Sequence, residues 1–422
     1  MIGSLFAGIS GLRANSTAMT VIGDNIANVN TTAFKSNKSS FANILSQSLG
    51  GGGSATDGIG RGVEFWAASP SWSQGSIETT SNSTDMAING KGFFMVEDDS
   101  GSSFYTRAGE FSFDKDGYLV NPDGLYVQGY AVSSIAPDGT ITLGAIENIN
   151  VPGESMTPPQ ATTTSTLDIN LDAGTAIGGP PYASTQTVYD SLGNAIPLTL
   201  SFEKTAANFW TATATVPAGT LNGGGTISIS DNTFNFASDG TLNNGTDPKI
   251  TITGLTSGAV DISDAASSAI TWDLFDSTGA TNGDLTQYAG DSTTNFNTQD
   301  GFAAGSLRGV SVDDNGFVTG AYSNGELTPL YRIVLTDFPS YFGLSKMGNN
   351  LYAESRASGQ GMPGVPLSGS LGSISPSAIE MSNVDLAQEF VKMITTQRAF
   401  QANSRVITTS DEILQELISL KR

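Results

Sequence analysis

The chain of 422 residues contains no cysteine and no histidine. The missing cysteine excludes disulfides, thiol nucleophiles and thiolate zinc sites, and the missing histidine excludes Ser-His-Asp triads and imidazole general bases. Catalysis would therefore have to depend on carboxylates, lysine or tyrosine. Basic residues are also scarce, because 18 Lys and Arg stand against 40 Asp and Glu, a net charge of -22. This balance disfavours binding to nucleic acids and to anionic membrane surfaces.

Long hydrophobic runs are missing as well. No stretch of the sequence approaches the roughly 18–20 consecutive apolar residues of a membrane span, so we expect no membrane insertion. Residues 1–9 lack a basic start and a small-residue cleavage site, so we expect no cleaved secretory signal. The length predicts two or three domains. The 50 glycines, with only 14% charged residues, favour β-rich segments with many tight turns.

Charge is distributed unevenly along the chain. Residues 1–50 carry a net charge of +2 and residues 381–422 a net charge of zero, whereas residues 151–300 contain 15 acidic and two basic residues, a net charge of -13. The acidic centre is therefore predicted to be a solvated outer surface, with an acidic binding face as the alternative.

Both ends of the chain show a seven-residue apolar repeat, which predicts a long helix at each end. The C-terminal repeat follows a Ser-x-x-Asp capping pair, Ser382 and Asp385, and continues for about forty residues without Pro or Gly. The two helices would pair as an α-helical coiled coil, or each would pack alone on a globular core. The predicted coiled-coil seam consists of Leu5, Ile9, Leu12, Met19, Ile26, Leu386, Phe390, Met393, Phe400, Ile407, Leu414 and Ile418.

The segment between the helices has the alternation and turn residues of β-hairpins. Residues 111–119 and 310–318 match in residue type, which predicts two similar hairpins on either side of an inserted domain. Asp114 and Asp313 each begin an Asp-rich turn, but the twelfth residues counted from them are Leu125 and Asn324 instead of the Glu of a calcium loop. We therefore interpret both as hairpin turns and predict no metal, cofactor or catalytic residues.

The predicted fold class is mixed and multi-domain: a terminal coiled coil plus β-rich middle domains of antiparallel sheets, arranged as a sandwich or barrel. The predicted divisions are residues 1–30 with 381–422 as terminal helices, 31–70 as a connecting segment, 71–152 with 301–365 as a middle β domain, 153–300 as an outer acidic β domain, and 366–380 as a Gly/Ser/Pro linker.

Both termini resemble the bacterial flagellar rod and hook protein family. The similar stretches are residues 4–12, 24–35, 382–386 and 393–404 at the ends, 89–94 and 105–111 in the shared β domain, and 188–194, which is similar to a stretch typical of hook members. The residues that match the terminal motifs of the family are Asn25, Ala27, Asn28, Asn30, Thr31, Ser382, Asn383, Val384 and Asp385.

The resemblance implies a structural subunit and not an enzyme. In this family the terminal helices form the inner tube of a helical polymer, the β segments form a middle shell, and the insert projects outward. The implied polymer is the hook, a curved hollow universal joint and export conduit between rod and filament, outside the cell. The implied partners are further copies of the chain, the hook cap protein, the distal rod protein, the hook–filament junction protein and the flagellar type III export apparatus, with no cleaved signal.

Three alternatives stay open from the sequence. A distal rod protein of the same family shares the terminal motifs, but usually lacks a large insert. A β-rich surface adhesin would explain the acidity, but not the paired heptad termini. A carboxylate hydrolase would need a pair of acidic side chains in a pocket, and nothing in the sequence singles out such a pair.

Overall fold

The computed structural model describes residues 2–44, 47–48, 58–59, 62–135, 139–153, 155–222, 225–243, 245–257, 259 and 269–419. The chain divides into two compact units. The terminal unit comprises Met1–Gly153, Val310–Gly320 and Pro329–Arg422, and the inserted unit comprises Glu154–Gly309 and Ala321–Thr328. The inserted unit therefore extends beyond the expected 153–300.

The two predicted helices are present as α1 (Ile2–Ala27) and α2 (Leu386–Ser419). Asp385 caps α2, because its carboxylate accepts hydrogen bonds from the backbone N–H groups of Ala387 and Gln388 at 2.9 and 3.2 Å. The predicted capping role of Ser382 is wrong, since the helix begins four residues later. About forty helical residues were expected, and α2 has 34 within the described residues. In the described part of the chain, no helix is long and apolar enough to span a membrane.

The N-terminal part of the terminal unit is built of short strands. They are β1 (Asn37–Asn43), β2 (Gln47–Ser48), β3 (Gly58–Ile59), β4 (Val63–Pro70), β5 (Ile77–Thr79), β6 (Met86–Asn89), β7 (Phe93–Glu97), β8 (Ser103–Thr106), β9 (Ser112–Phe113), β10 (Leu119–Val120), β11 (Tyr126–Ile135) and β12 (Ile141–Asn148). β1 and β4 pair with each other as a two-stranded antiparallel ribbon.

Most of the described strands of the inserted unit form two sheets. Its strands are β13 (Met156–Thr157), β14 (Thr164–Asn170), β15 (Tyr182–Tyr189), β16 (Ala195–Ala206), β17 (Phe209–Thr215), β18 (Ile227–Ile229), β19 (Thr233–Asn235), β20 (Lys249–Ile252), β21 (Ile270–Trp272), β22 (Leu285–Thr286) and β23 (Thr293–Gln299). One sheet has the order β15-β16-β17-β19, and the other has the order β18-β20-β21-β14-β22 with β23 also on β14. β14 pairs in parallel with β21 and β22, so the second sheet is mixed and not purely antiparallel.

One apolar core fills the inserted unit. Alternate residues of β16 are buried in it, among them Ile196, Leu198 and Phe202, as the alternation of the sequence predicts. The indoles of Trp210 and Trp272 are 1% and 0% exposed. Because each such side chain contributes about 1.5–3 kcal/mol when fully buried, this core accounts for a compact unit without disulfides.

The remaining strands return the chain to the terminal unit. They are β24 (Gly305–Val312), β25 (Phe317–Tyr322), β26 (Leu327–Ile333), β27 (Leu335–Asp337), β28 (Ser345–Gly348), β29 (Leu351–Ala353), β30 (Met362–Gly364), β31 (Ser373–Pro376) and β32 (Ala378–Glu380). Within this unit β26, β11, β7, β8, β29 and β28 follow one another in a sheet. β31 pairs with β6, and β32 pairs with β5. The expectation of a linker over 366–380 is therefore wrong for its second half. Strands form there through backbone hydrogen bonds, which do not depend on side-chain composition.

One five-residue turn recurs in both units. An Asp or Asn carboxyl or amide oxygen accepts the N–H groups two and four residues later, and the fourth residue is a glycine with φ between 79° and 87°. The first residues of these turns are Asp98, Asp114, Asn121, Asp190, Asp276 and Asp313. The interpretation of Asp114 and Asp313 as turn residues is therefore confirmed.

Asp190 has an additional role in the inserted unit. Its second carboxylate oxygen accepts hydrogen bonds from the side chains of Asn194 and Ser257 at 2.9 and 2.8 Å. Burial alone would raise the pKa of Asp190, but hydrogen bonds from Asn194, Ser257 and the N–H of Leu192 outweigh burial and leave the pKa below its usual value. The stability that this carboxylate contributes is therefore present above pH 4 and is lost as the pH falls through the lowered pKa.

We expect Asp190→Asn to lower the free energy of unfolding of the inserted unit by about 1 kcal/mol at pH 7. The amide can still accept the two turn hydrogen bonds, as Asn121 does, so the loss arises at the second oxygen. Urea unfolding followed through Trp210 and Trp272 should show this difference at pH 7 and a smaller one at pH 3. A difference that is the same at both pH values would contradict the assignment.

Candidate assembly site on the paired terminal helices

A stripe of small residues on α1 faces α2. Gly8 and Gly11 are buried in this stripe. Glycine has no Cβ and therefore permits the closest approach of two helix backbones. A Cβ placed on Gly8 would lie 3.0 Å from Cγ1 of Ile407, and one on Gly11 would lie 2.7 Å from the side-chain amide of Asn403. The helix backbones therefore come close together at the two glycines.

The contact extends along the antiparallel pair. At one end the Ser4 and Ser410 hydroxyls lie 3.4 Å apart, and at the other end Nδ2 of Asn25 donates to Oε2 of Glu389 at 3.2 Å. Both α2 residues are buried. Three of the α2 residues at this contact, Glu389, Asn403 and Ser410, are separated by multiples of seven, so one heptad position of the subunit's own helix pair is polar.

On α1 the predicted seam lies beside this contact. The α1 residues at the contact, Ser4, Gly8, Gly11 and Asn25, each lie one position before a predicted seam residue, namely Leu5, Ile9, Leu12 and Ile26. Leu5, Leu12, Met19 and Ile26 are half-buried and Ile9 is exposed. The reason is steric, because large side chains would hold two backbones apart where small ones let them touch.

On α2 the predicted seam is divided. Ile407 contacts α1, and Met393 and Leu414 are half-buried. Leu386, Phe390 and Phe400 are exposed at 40%, 49% and 38%. The side chain of Ile418 lies outside the described residues.

Large apolar side chains on the outside of the helix pair form what we call the outer apolar set. Its members are Phe6, Ile9, Leu386, Phe390, Val391, Ile394, Phe400, Val406 and Ile413. Val406 and Ile413 are also seven residues apart, on a side of α2 different from Asn403 and Ser410. Large apolar side chains left exposed in this number on one helix pair are typical of a surface that contacts other proteins.

Asn25 joins the end of α1 to the first strand. Its Oδ1 accepts the N–H of Asn37 and its Nδ2 donates to the carbonyl oxygen of Asn37, both at 2.8 Å. The amide of Asn25 thus replaces a peptide group of a neighbouring strand. Because Asn25 is 1% exposed and also contacts Glu389, it fixes three elements at one point.

The other N-terminal motif residues shape the turn after α1. Asn28 donates from Nδ2 to the carbonyl oxygen of Asp24 at 2.9 Å and accepts from the hydroxyl of Thr31 at 3.1 Å. Ala27 and Asn30 are exposed. The structure therefore gives Asn25 and Asn28 distinct local roles, whereas Ala27 and Asn30 lie on the surface.

Below the helices, three charged side chains form a buried ionic cluster that the sequence did not reveal. Nζ of Lys35 lies 2.5 Å from Oε1 of Glu380, and Nη1 of Arg107 lies 3.5 Å from Oε2. The side chain of Glu380 is 0% exposed and those of Lys35 and Arg107 are 2% and 6% exposed. Burial lowers the pKa of Lys35, and Glu380 offsets only part of that shift. One carboxylate therefore holds two cations away from water.

Backbone groups complete this ionic cluster. Lys35 donates to the carbonyl oxygen of Ser73 at 2.9 Å, Gly75 donates its N–H to Glu380 at 2.8 Å, and Arg107 donates to the carbonyl oxygen of Gly90 at 2.9 Å. The cluster thus connects five stretches of the chain. Lys35 and Arg107 belong to the stretches 24–35 and 105–111, but no pattern in the sequence indicated that they would meet.

Asn383 repeats the role of Asn25 from the C-terminal side. Its Oδ1 accepts the N–H of Ser36 at 2.8 Å, and its Nδ2 donates to the carbonyl oxygens of Ser71 and Ser73 at 2.9 Å. Ser382 and Val384 are half-buried beside it. The two motifs from opposite ends of the chain therefore meet at one junction.

Comparisons with known proteins agree with this architecture. The matching family profiles are described as flagella basal body rod protein (residues 5–35), flagellar hook protein FlgE/F/G D1 domain (87–172), flagellar basal body protein FlaE D2 domain (179–302) and flagellar basal body rod FlgEFG protein C-terminal (375–420).

Curated relatives match over the full length. The chain is 34% identical to the flagellar hook protein FlgE of Borreliella burgdorferi over all of both chains. It is 33% identical to that of Escherichia coli and 34% identical to that of Salmonella typhimurium, over 98% of each chain. The crystal structure of the Helicobacter pylori flagellar hook protein FlgE2 matches with a TM-score of 0.51 at 15% identity, covering 72% of this chain and 100% of that one, which is a likeness of fold.

Proposed function

The chain belongs to the flagellar hook protein family and is a structural subunit of the flagellar hook, not an enzyme, and from this premise we propose that its paired terminal helices build the inner wall of the hook. In this proposal the subunits form a curved, hollow helical tube. The tube acts as a universal joint between rod and filament and as an export conduit.

The observation that carries the proposal is the presence of two distinct faces on the helix pair. Small and polar residues, together with Ile407, make the subunit's own helix contact, and the outer apolar set stays exposed. A contact between this set and a different surface of the next copy would continue into a helical polymer, whereas a contact between two identical faces would close into a dimer. We propose that the predicted seam residues left uncovered by the internal contact bind neighbouring copies.

The charge distribution supports the same arrangement. Residues 1–50 and 381–422 are close to neutral, so many copies can pack around one axis with little repulsion. Residues 151–300 carry a net charge of -13 and are proposed to form the outer acidic domain, with the β strands of the terminal unit between the two. Such a tube would stand outside the cell.

Partners follow from the proposed position. The hook cap protein would support growth, the distal rod protein and the hook–filament junction protein would contact the two ends, and the type III export apparatus would deliver the subunit without a cleaved signal. The distal rod alternative is disfavoured, because full-length curated relatives carry the hook name and a profile covers the insert.

Electron microscopy of the purified, polymerised protein tests the proposal as a whole. We expect curved hollow tubes. Straight rods would contradict the hook, and particles of uniform small size would contradict assembly.

We expect Val406→Asp to block tube formation without unfolding the subunit. Val406 is 43% exposed, so a carboxylate there stays hydrated in the subunit and changes the free energy of unfolding by less than about 0.5 kcal/mol. Between copies it would be buried without a partner, and we expect the critical concentration to rise at least tenfold, about 1.4 kcal/mol. Sedimentation of polymer and circular dichroism of subunits measure the two quantities.

The matched control is Ile177→Asp in the inserted unit, where an aliphatic side chain 62% exposed is replaced in the same way. It adds the same charge outside the outer apolar set and should polymerise as the wild type does. Equal critical concentrations for Val406→Asp and the wild type would contradict the proposed role of this face.

A further inference from the structure

Three side chains from separate parts of the terminal unit meet at the start of strand β1. Nζ of Lys346, on β28, donates to Oδ1 of Asn37, on β1, at 2.6 Å, although 309 positions separate the two residues. Asp24, in the last turn of α1, lines one cavity of about 380 Å³ together with Asn37 and Lys346. An amine, a primary amide and a carboxylate therefore share this cavity.

The backbone holds the amine and the amide in place. Asn25 binds the N–H and the carbonyl oxygen of Asn37, both at 2.8 Å. Lys346 pairs with Tyr352 of β29, within the sheet of the terminal unit. Because both main chains are fixed, the two side chains meet with little further loss of freedom. Such proximity raises the rate of reaction between groups that are weakly reactive in free solution.

The surroundings of Lys346 favour a reactive amine. Burial lowers the pKa of Lys346, and the negative charge of Asp24 offsets only part of that shift. Only the neutral amine is a nucleophile, so a lowered pKa increases the reactive fraction at neutral pH. Lys346 also keeps part of its surface in water, so a small ion released here can diffuse away.

We propose that Lys346 and Asn37 join in an isopeptide bond, with Asp24 as the proton carrier. Asp24 takes a proton from the ammonium group, the neutral Nζ attacks Cγ of Asn37, and the Nζ–Cγ bond forms. Asp24 then gives its proton to Nδ2, and the Cγ–Nδ2 bond breaks. The departing nitrogen leaves as ammonium with the two protons that Nζ has lost, so the carboxylate is regenerated and no oxidant or reductant is needed.

The cross-link is independent of the proposed hook assembly, because all three residues belong to the terminal unit of one subunit. It closes a loop that contains the whole inserted unit. Closing a long loop restricts the unfolded chain, as a disulfide does. A chain without cysteine would thereby gain a covalent tie between its first strand and the sheet of the terminal unit.

Mass spectrometry of the purified, denatured chain tests the bond directly. The linked chain should be lighter than its sequence by one ammonia. Trypsin does not cleave after a lysine whose amine is acylated. The digest should therefore contain residues 36–38 joined to residues 333–356 as one branched peptide.

Variants separate the roles of the three residues. Lys346→Arg keeps the positive charge but has no neutral amine, so it should show the unlinked mass. Asp24→Asn should slow linkage by about 100-fold or more, measured as the linked fraction over time after cell-free synthesis. Asp116→Asn removes an exposed carboxylate elsewhere in the same unit and should link as the wild type does. Circular dichroism confirms that these surface variants fold.

Two results would overturn the inference. One is a wild-type chain of full sequence mass that yields residues 36–38 as a free peptide. The other is linkage of Asp24→Asn at the wild-type rate. Neither result changes the proposed function, which electron microscopy of the tubes tests separately.

Discussion

Glu380→Gln is expected to lower the free energy of unfolding of the terminal unit by about 3–5 kcal/mol. The amide has the shape of the carboxylate but no charge, so Lys35 and Arg107 would be left buried without a counterion. Nε of Arg107 is already buried without a hydrogen-bond partner among the described residues. Loss of this one carboxylate should therefore lower the free energy of unfolding by more than a typical surface ion pair contributes to it.

Urea unfolding followed by the fluorescence of Trp72 and by circular dichroism measures this loss. Trp72 packs at 5.5 Å from the ring of Phe93, within the terminal unit. Asp116→Asn is the matched control, because it removes the carboxylate of the exposed Lys115–Asp116 pair and should leave the transition unchanged. A Glu380→Gln protein as stable as the control variant would show that the cluster is not a stabilising element.

Gly11→Leu is expected to separate the helix pair and abolish tube formation. An added Cβ alone would lie within 2.9 Å of three atoms of the Asn403 side chain, and the rest of a leucine has no space between the backbones. Overpacking of this kind costs about 1–3 kcal/mol. Isolated helices are marginal in water, so the separated pair should also lose helical signal in circular dichroism.

Gly23→Ala on the same helix is the control. A Cβ on Gly23 would meet no atom within 4 Å, and alanine favours a helix by up to about 1 kcal/mol over glycine. The subunit should therefore be as stable as the wild type or more stable. Retention of full helical signal and of tubes by Gly11→Leu would refute close packing at the glycines.

The sequence predicted the helices because a heptad repeat is a local property. It did not predict which side of α1 meets α2, since the large residues that dominate the repeat, such as Leu12 and Met19, lie beside the contact. A stripe with Gly8 and Gly11 has little apolar signal, although its small residues decide how closely the backbones approach. The most apolar stripe of α1 is the one that the single subunit leaves partly exposed. An apolar repeat in the sequence therefore does not by itself show which contact buries it.

The turn residues were predictable for the same local reason. Asp114 and Gly117 act within five residues, so their spacing carries the whole geometry. The ionic cluster could not be predicted, because Lys35 and Glu380 are 345 positions apart in the sequence. No local pattern shows that two residues so far apart meet in the folded chain. The strand β32 was hidden as well, since Ser- and Gly-rich composition indicates a linker while its backbone pairs with β5.

The position of Glu380 after the inserted unit has a consequence for the order in which the terminal unit can fold. Lys35 and Arg107 are translated long before the carboxylate that they share, and Asn383 follows it by three residues. Until residue 380 has been made, the two cations lack this carboxylate and α2 does not yet exist. The buried junction can therefore form only after the whole inserted unit has been translated.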